Sequence, residues 1–167
     1  LTPIPILILE EPENHLFLSA QIDLSRTLFD DLNIKYIFCS SHSSELLYHI
    51  GIDCNLVRLY RQKNMPLRKT ISSSAQISSE YHNLKKMYAE GLSKGYFADC
   101  VLLVEGYSEK LLCDSILSCV LSKNQFQKLY VLPVLGTNFK PYRDLLKKLG
   151  IKIIVRTDND IYKNDIY

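Results

Sequence analysis

The chain has 167 residues, with 20 Lys and Arg against 18 Asp and Glu, a net charge of +2 and a pI near 8.2. Hydrophobic residues make up 47% and charged residues 23%, globular usage that excludes a disordered tail. No apolar run approaches the roughly 18 residues of a membrane-spanning helix, which excludes a membrane partner of that kind, and the mild basicity permits nucleic acid without demanding it.

Leu1 is not a methionine, and no basic region precedes an apolar stretch as in a signal peptide; the chain reads as a fragment of a longer protein. Ile4 to Leu9 is a continuous apolar run, the pattern of a strand buried on both faces of a parallel sheet. Leu16, Ala20, Leu24 and Leu28 recur at i+4 and predict a helix to about Asp31. Tyr36 to Cys39 is the next strand, Ser43 to Ile50 a short helix, and Cys54 to Leu59 a third strand closing this unit. Residues 62–79, with Pro66, a basic cluster and five serines, read as a connector before a helix from about Glu80 to Lys94. A second α/β run follows: strand Val101–Val104, helix Ser108–Leu121, strand Leu129–Leu132, a helix marked by Tyr142, Leu145, Leu146 and Leu149, and strand Ile151–Val155. Pro141 is tolerable in the first turn of that last helix.

Strands alternating with helices imply right-handed βαβ units and parallel sheets. The fold class is α/β, in two partial parallel-sheet units. The five cysteines (39, 54, 100, 113 and 119) have no CxxC spacing and no nearby histidine partners, so they read as buried, reduced thiols of a cytoplasmic protein rather than a zinc site. Charge is uneven: residues 1–32 carry six acids against Arg26 alone, and residues 123–156 carry eight bases against Asp144 alone. A solvated helix face accounts for Lys140, Arg143, Lys147 and Lys148; the others form a candidate phosphate-backbone track.

The first run ends in Glu10-Glu11, two carboxylates at the carboxyl edge of a parallel sheet, where open α/β sheets place their ligands. One can hold Mg²⁺ through water and its neighbour can polarise an attacking water. The next strand delivers Ser40-Ser41-His42-Ser43 to the same edge, within reach of a γ-phosphate. Solvated strand-end acids and a capping serine are the plain alternative. The segment Ile6 to Leu16 resembles the Walker B and D-loop of ABC-type ATPases of the OLD (overcoming lysogenization defect) and RecF-like kind, and Ser41 to Leu46 resembles their switch-histidine motif. The resemblance implies Glu10 as the Mg²⁺-associated acid, Glu11 as catalytic base and His42 as γ-phosphate sensor, a nucleotide-binding set. Phe17-Leu18, Ser41 and Ser44 depart from the usual pattern without removing a catalytic group. The GxxxxGK[ST] phosphate loop is absent, so the fragment alone is expected to bind ATP poorly.

The second run places Glu105-Gly106 after a strand, Glu109 on the following helical turn, and Thr157-Asp158-Asn159-Asp160 after the last strand. Four acids gathered at one edge repel one another unless divalent cations neutralise them, and oxygen donors favour Mg²⁺ or Mn²⁺. Phe97 to Glu109 resembles the Toprim entry of OLD-family nucleases, and Leu135 to Tyr142 their middle loop, without its frequent second glycine. By that resemblance Glu105, Glu109, Asp158 and Asp160 are metal ligands, and Glu105, Asp158 and Asp160 are catalytic. The implied organisation is the C-terminal part of an ABC-type ATPase domain over 1–62, a connector and helix over 63–96, and a Rossmann-like Toprim nuclease domain over 97–167. The implied protein is an Mg²⁺- or Mn²⁺-dependent, ATP-regulated DNA endonuclease of phage defence or DNA processing, homo-oligomeric at full length. Two other readings remain: a HAD-like phosphohydrolase using Asp158 and Asp160, and a non-catalytic DNA-binding or scaffold remnant. His15 is expected to order the loop after Glu13, and His49 and His82 to lie on helix surfaces.

Overall fold

The computed structural model describes residues 6–28, 34–48, 54–61, 70–76 and 91–158, and their contacts divide the chain into two units, Leu1–Ile52 and Asp53–Tyr167. In the first unit β1 (Ile6–Glu10) and β2 (Tyr36–Ser40) pair in parallel, in register from Ile6 opposite Tyr36 to Glu10 opposite Ser40. A parallel pair needs a crossover, and α1 (Leu18–Arg26) lies within it. A short α2 (Ser44–Tyr48) follows and packs on α1, where the buried Ser25 hydroxyl donates to the Leu46 carbonyl at 3.1 Å. The expectation of a strand buried on both faces is corrected. Leu7 and Leu9 are half-buried but Ile6 and Ile8 are exposed, because one face of this two-stranded sheet has no covering layer among the described residues.

The second unit opens on β3 (Asn55–Tyr60), which pairs antiparallel with β4 (Ile71–Gln76). This corrects the sequence reading, in which 54–59 closes the first unit and 62–79 is connector. The serine run hides a period-2 strand: Ile71, Ser73 and Ala75 face inward while Ser72, Ser74 and Gln76 face out. Residues 91–95 are helical, the described end of the helix expected over 80–94.

A three-stranded parallel sheet follows, in the order β6-β5-β7, from β5 (Cys100–Val104), β6 (Leu129–Pro133) and β7 (Lys152–Val155). The connections run through α3 (Tyr107–Val120), the short α4 (Lys123–Phe126) and α5 (Lys140–Lys148). Side chains alternate across β5. Leu102 and Val104 join Cys113 of α3 and Val131 of β6 in one cluster, while Val101 turns toward Leu146 of α5 beside Gly95. Helix, sheet and helix thus form three layers, a Rossmann-like α/β arrangement, with Val101–Val104 of β5 buried at its centre as their unbroken apolar run predicts.

Two local devices hold this unit. α5 ends in a Schellman motif: Ile151 N–H donates to Leu146 and Gly150 N–H to Lys147, with Gly150 at φ +70. Arg58 of β3 donates from Nε to the Tyr96 carbonyl and from Nη2 to the Ala98 carbonyl, both at 2.9 Å, and lies 3.5 Å from Asp99 and over the Tyr60 ring. None of the five cysteines is in a disulfide. Only Cys113 is buried and Cys119 is exposed, so the expectation of uniformly buried thiols does not hold. No helix among the described residues is long and apolar enough to cross a membrane.

Candidate functional site

In the first unit, β1 and β2 deliver their carboxyl ends to one edge. Glu11 donates its N–H to the Ser40 carbonyl at 2.9 Å, and its Oε1 lies 3.3 Å from Nε2 of His42. The proposed base and sensor are therefore in contact, although both face solvent. Glu11 holds a left-handed backbone at φ +42, uncommon for a side-chain-bearing residue, and Asn14 Nδ2 donates to its other oxygen at 2.7 Å. Glu10, at the last position of β1, is exposed. His15 closes the loop with φ +65.

The organising residue of this edge is one the sequence reading did not select. Glu13 is buried, 7% exposed, and its Oε1 accepts from the Ser41 hydroxyl at 2.6 Å and from the His42 N–H at 2.8 Å. Ser41 Oγ accepts in turn from Ser43 N–H, and Ser43 Oγ caps α2 by accepting from Leu46 N–H. Burial pushes the Glu13 carboxyl up, but the donors from Ser41 and the surrounding backbone outweigh it and hold the group below the ordinary carboxylate range. The second oxygen, Oε2, is buried without a partner. The available signal was Glu13 beside a serine-rich strand end, but the 28-residue separation from Ser41 hides the pairing.

In the second unit, Glu105 leaves the carboxyl end of β5 and Asp158 follows β7, its neighbour in the sheet. Glu105 Oε1 accepts the Asp158 backbone N–H at 2.9 Å, so the two acids predicted from separate strands share one edge. The β6 loop joins them: Gly136 N–H donates to the Glu105 carbonyl at 3.1 Å, after two positive φ angles, Leu135 at +52 and Gly136 at +154. Glu109 stands on the first turn of α3, its Oε2 only 3.1 Å from where a Cβ on Gly106 would be. Gly106 thus leaves room for that carboxylate to fold back toward the strand end. Asp160 lies outside the described residues, as do His49 and His82. Among the described residues no group of three or more His, Cys, Asp or Glu is close enough to hold a metal ion. The oxygen-only donors Glu105, Glu109 and Asp158 fit a hard divalent cation in chemistry, and Glu105 and Asp158 already meet.

Residues 96–160 match the family model of the Toprim domain of overcoming-lysogenization-defect-like proteins. The chain is also 39% identical over 160 residues to the endonuclease GajA of Bacillus cereus strain VD045, an alignment covering 95% of this chain and 27% of that protein. The chain therefore spans about 27% of the length of this curated relative.

Proposed function

We propose that this chain, whose residues 96–160 match the Toprim domain of OLD-like proteins and which is 39% identical to an endonuclease over 160 residues, belongs to the OLD family and is part of a divalent-metal-dependent DNA endonuclease. The observation that carries the proposal is the bond from the Asp158 N–H to Glu105 Oε1 at 2.9 Å, which ties the two strand-end acids into one edge. Glu105, Glu109, Asp158 and Asp160 would hold Mg²⁺ or Mn²⁺, which supplies activation of a water and neutralisation of charge at the phosphodiester. The chain's own residues prepare that edge: Glu105 fixes the turn after β7 through its carboxylate and the β6 loop through its carbonyl. A phosphohydrolase built on Asp158 and Asp160 alone would leave the Glu105 carboxylate without a chemical role.

The first unit is the end of an ATPase domain that regulates cleavage, with Glu10 associated with the Mg²⁺ of ATP, Glu11 the base and His42 the γ-phosphate sensor. The contact of His42 with Glu11 supports this reading. The whole protein acts in the cytoplasm as a homo-oligomer, in phage defence or DNA processing.

The test is Glu105→Gln in the whole protein. The amide oxygen still accepts the Asp158 N–H while the charge is lost, so folding survives and metal-dependent cleavage of a DNA duplex falls at least a hundredfold. Cleavage at the wild-type rate would refute the assignment.

A further inference from the structure

At the opposite edge of the same sheet lies a cavity of about 610 Å³. Cys100, Leu129 and Lys152, which open β5, β6 and β7, all line it, whereas Glu105 and Asp158 follow the strand ends. Five strand residues at about 3.3 Å each separate the two edges by about 16 Å, so the cavity is distinct from the carboxylate centre.

Its walls are basic by construction. Asp99 and Cys100 both donate their N–H to the Lys128 carbonyl, and Lys152 N–H donates to the Asp99 carbonyl. With neighbouring strands about 4.8 Å apart, the backbones of the two lysines flank β5 at roughly 10 Å from each other. Arg61 adds a third cation to the lining. Among the described residues the lining's single acid, Asp99, is already engaged by Arg58. Arg61, Lys128 and Lys152 have no carboxylate within ion-pairing distance among the described residues. Like charges around one concavity repel one another and concentrate anions from solution. The side-chain amides of Asn124 and Gln125 add neutral hydrogen-bonding groups to the lining.

We propose that this cavity is a phosphate-binding site. Its volume lies within the roughly 300–1,000 Å³ of small-ligand sites, the size of one nucleotide, and the phosphate comes either from the DNA backbone or from a free nucleotide. The inference does not rest on the nuclease reading, since it stands even if the carboxylate edge is silent. It also gives Lys128 and Lys152, part of the basic surplus of residues 123–156, a common purpose.

The experiment uses the whole protein in EDTA, with two probes: a fluorescein-labelled 20-base-pair duplex followed by anisotropy, and tritiated dAMP followed by equilibrium dialysis. Lys128→Glu combined with Lys152→Glu is expected to weaken at least one probe tenfold or more. For the duplex, the slope of log K against log salt should become shallower by about two, since each phosphate contact contributes about 0.9. Loss confined to the duplex assigns the phosphate to the DNA backbone, and loss of dAMP, alone or with the duplex, assigns it to a nucleotide. Unchanged binding of both probes by a variant with wild-type circular dichroism overturns the proposal. So does an equal loss in Lys123→Glu, an exposed α4 position outside the lining, because that would mark a general charge effect. If the double reversal does not fold, Lys128→Gln with Lys152→Gln is read in the same way, with at least a threefold loss expected.

Discussion

Glu13 shows how one side chain can set the geometry of a strand edge. Its carboxylate holds both the Ser41 hydroxyl and the His42 N–H, so the loop that carries His42 is fixed relative to the Glu-Pro-Glu turn that carries Glu11. Burial alone would raise its pKa; the donors win and lower it. A carboxyl whose folded pKa is depressed contributes stability above its unfolded pKa, near 4.3 for Glu, and loses that contribution as pH falls through the folded value. Glu13→Gln should therefore destabilise the first unit at pH 7 by about 1.5–3 kcal/mol, the usual magnitude for hydrogen bonds to a charged group. It should also flatten the acid side of the stability curve. Urea midpoints between pH 2 and pH 7 measure both effects, and a variant curve that runs parallel to the wild type would contradict the assigned role. The pair Glu11 and His42 was legible as two strand-end motifs, each recognised locally. Glu13 was not, because its meaning lies in a partner on another strand and in burial that no local pattern encodes.

At the scale of elements, legibility followed the hydrophobic period. Val101 to Val104 reads as a central parallel strand and is one. Helix α5 shows its apolar stripe in Tyr142, Leu145, Leu146 and Leu149, all of which are buried. β4 escaped because Ser72, Ser73 and Ser74 carry no apolar alternation, and its strand form comes from antiparallel pairing with β3, a tertiary effect. Helix α4 was legible in principle: Ser122 and Gln125 form a reciprocal capping box, a signature visible in the sequence. Gly150 joins elements that the sequence left separate. A Cβ there would stand 2.5 Å from the Tyr60 hydroxyl and 3.0 Å from Ser73 Oγ, so the end of α5 sits directly on the β3–β4 pair. Gly150→Ala combines a left-handed backbone, costing about 1–2 kcal/mol for a side-chain-bearing residue, with that close approach. It should lower stability by about 2 kcal/mol or more. Gly136→Ala has nothing within 4 Å of its Cβ and should cost only its backbone strain. Denaturant midpoints of the two variants, compared in one series, test whether the close approach to Tyr60 adds to the strain.

At the scale of the whole molecule, the chain carries two separate strand-edge sites, each assembled within its own unit. Glu11 and His42 meet in the first, Glu105 and Asp158 in the second. If the first hydrolyses ATP and the second cuts DNA, single substitutions should separate the two activities in the whole protein. Asp158→Ala keeps the backbone N–H that Glu105 accepts, so the edge retains its shape while a metal donor is lost. DNA cleavage in Mg²⁺ or Mn²⁺ should vanish and ATP hydrolysis should persist largely intact. Glu11→Gln keeps an oxygen for the Asn14 amide but removes the base, and ATP hydrolysis should fall by the 10²–10⁴ typical of a lost general base. Cleavage in that variant reports how the units communicate: a nuclease that needs turnover falls with it, whereas one that needs only bound nucleotide does not. Chelating the divalent metal should abolish cleavage by the wild type. Cleavage that survives chelation, or an Asp158→Ala protein that still cuts, would show that the second edge is not the cleavage centre, whatever the outcome at Glu11.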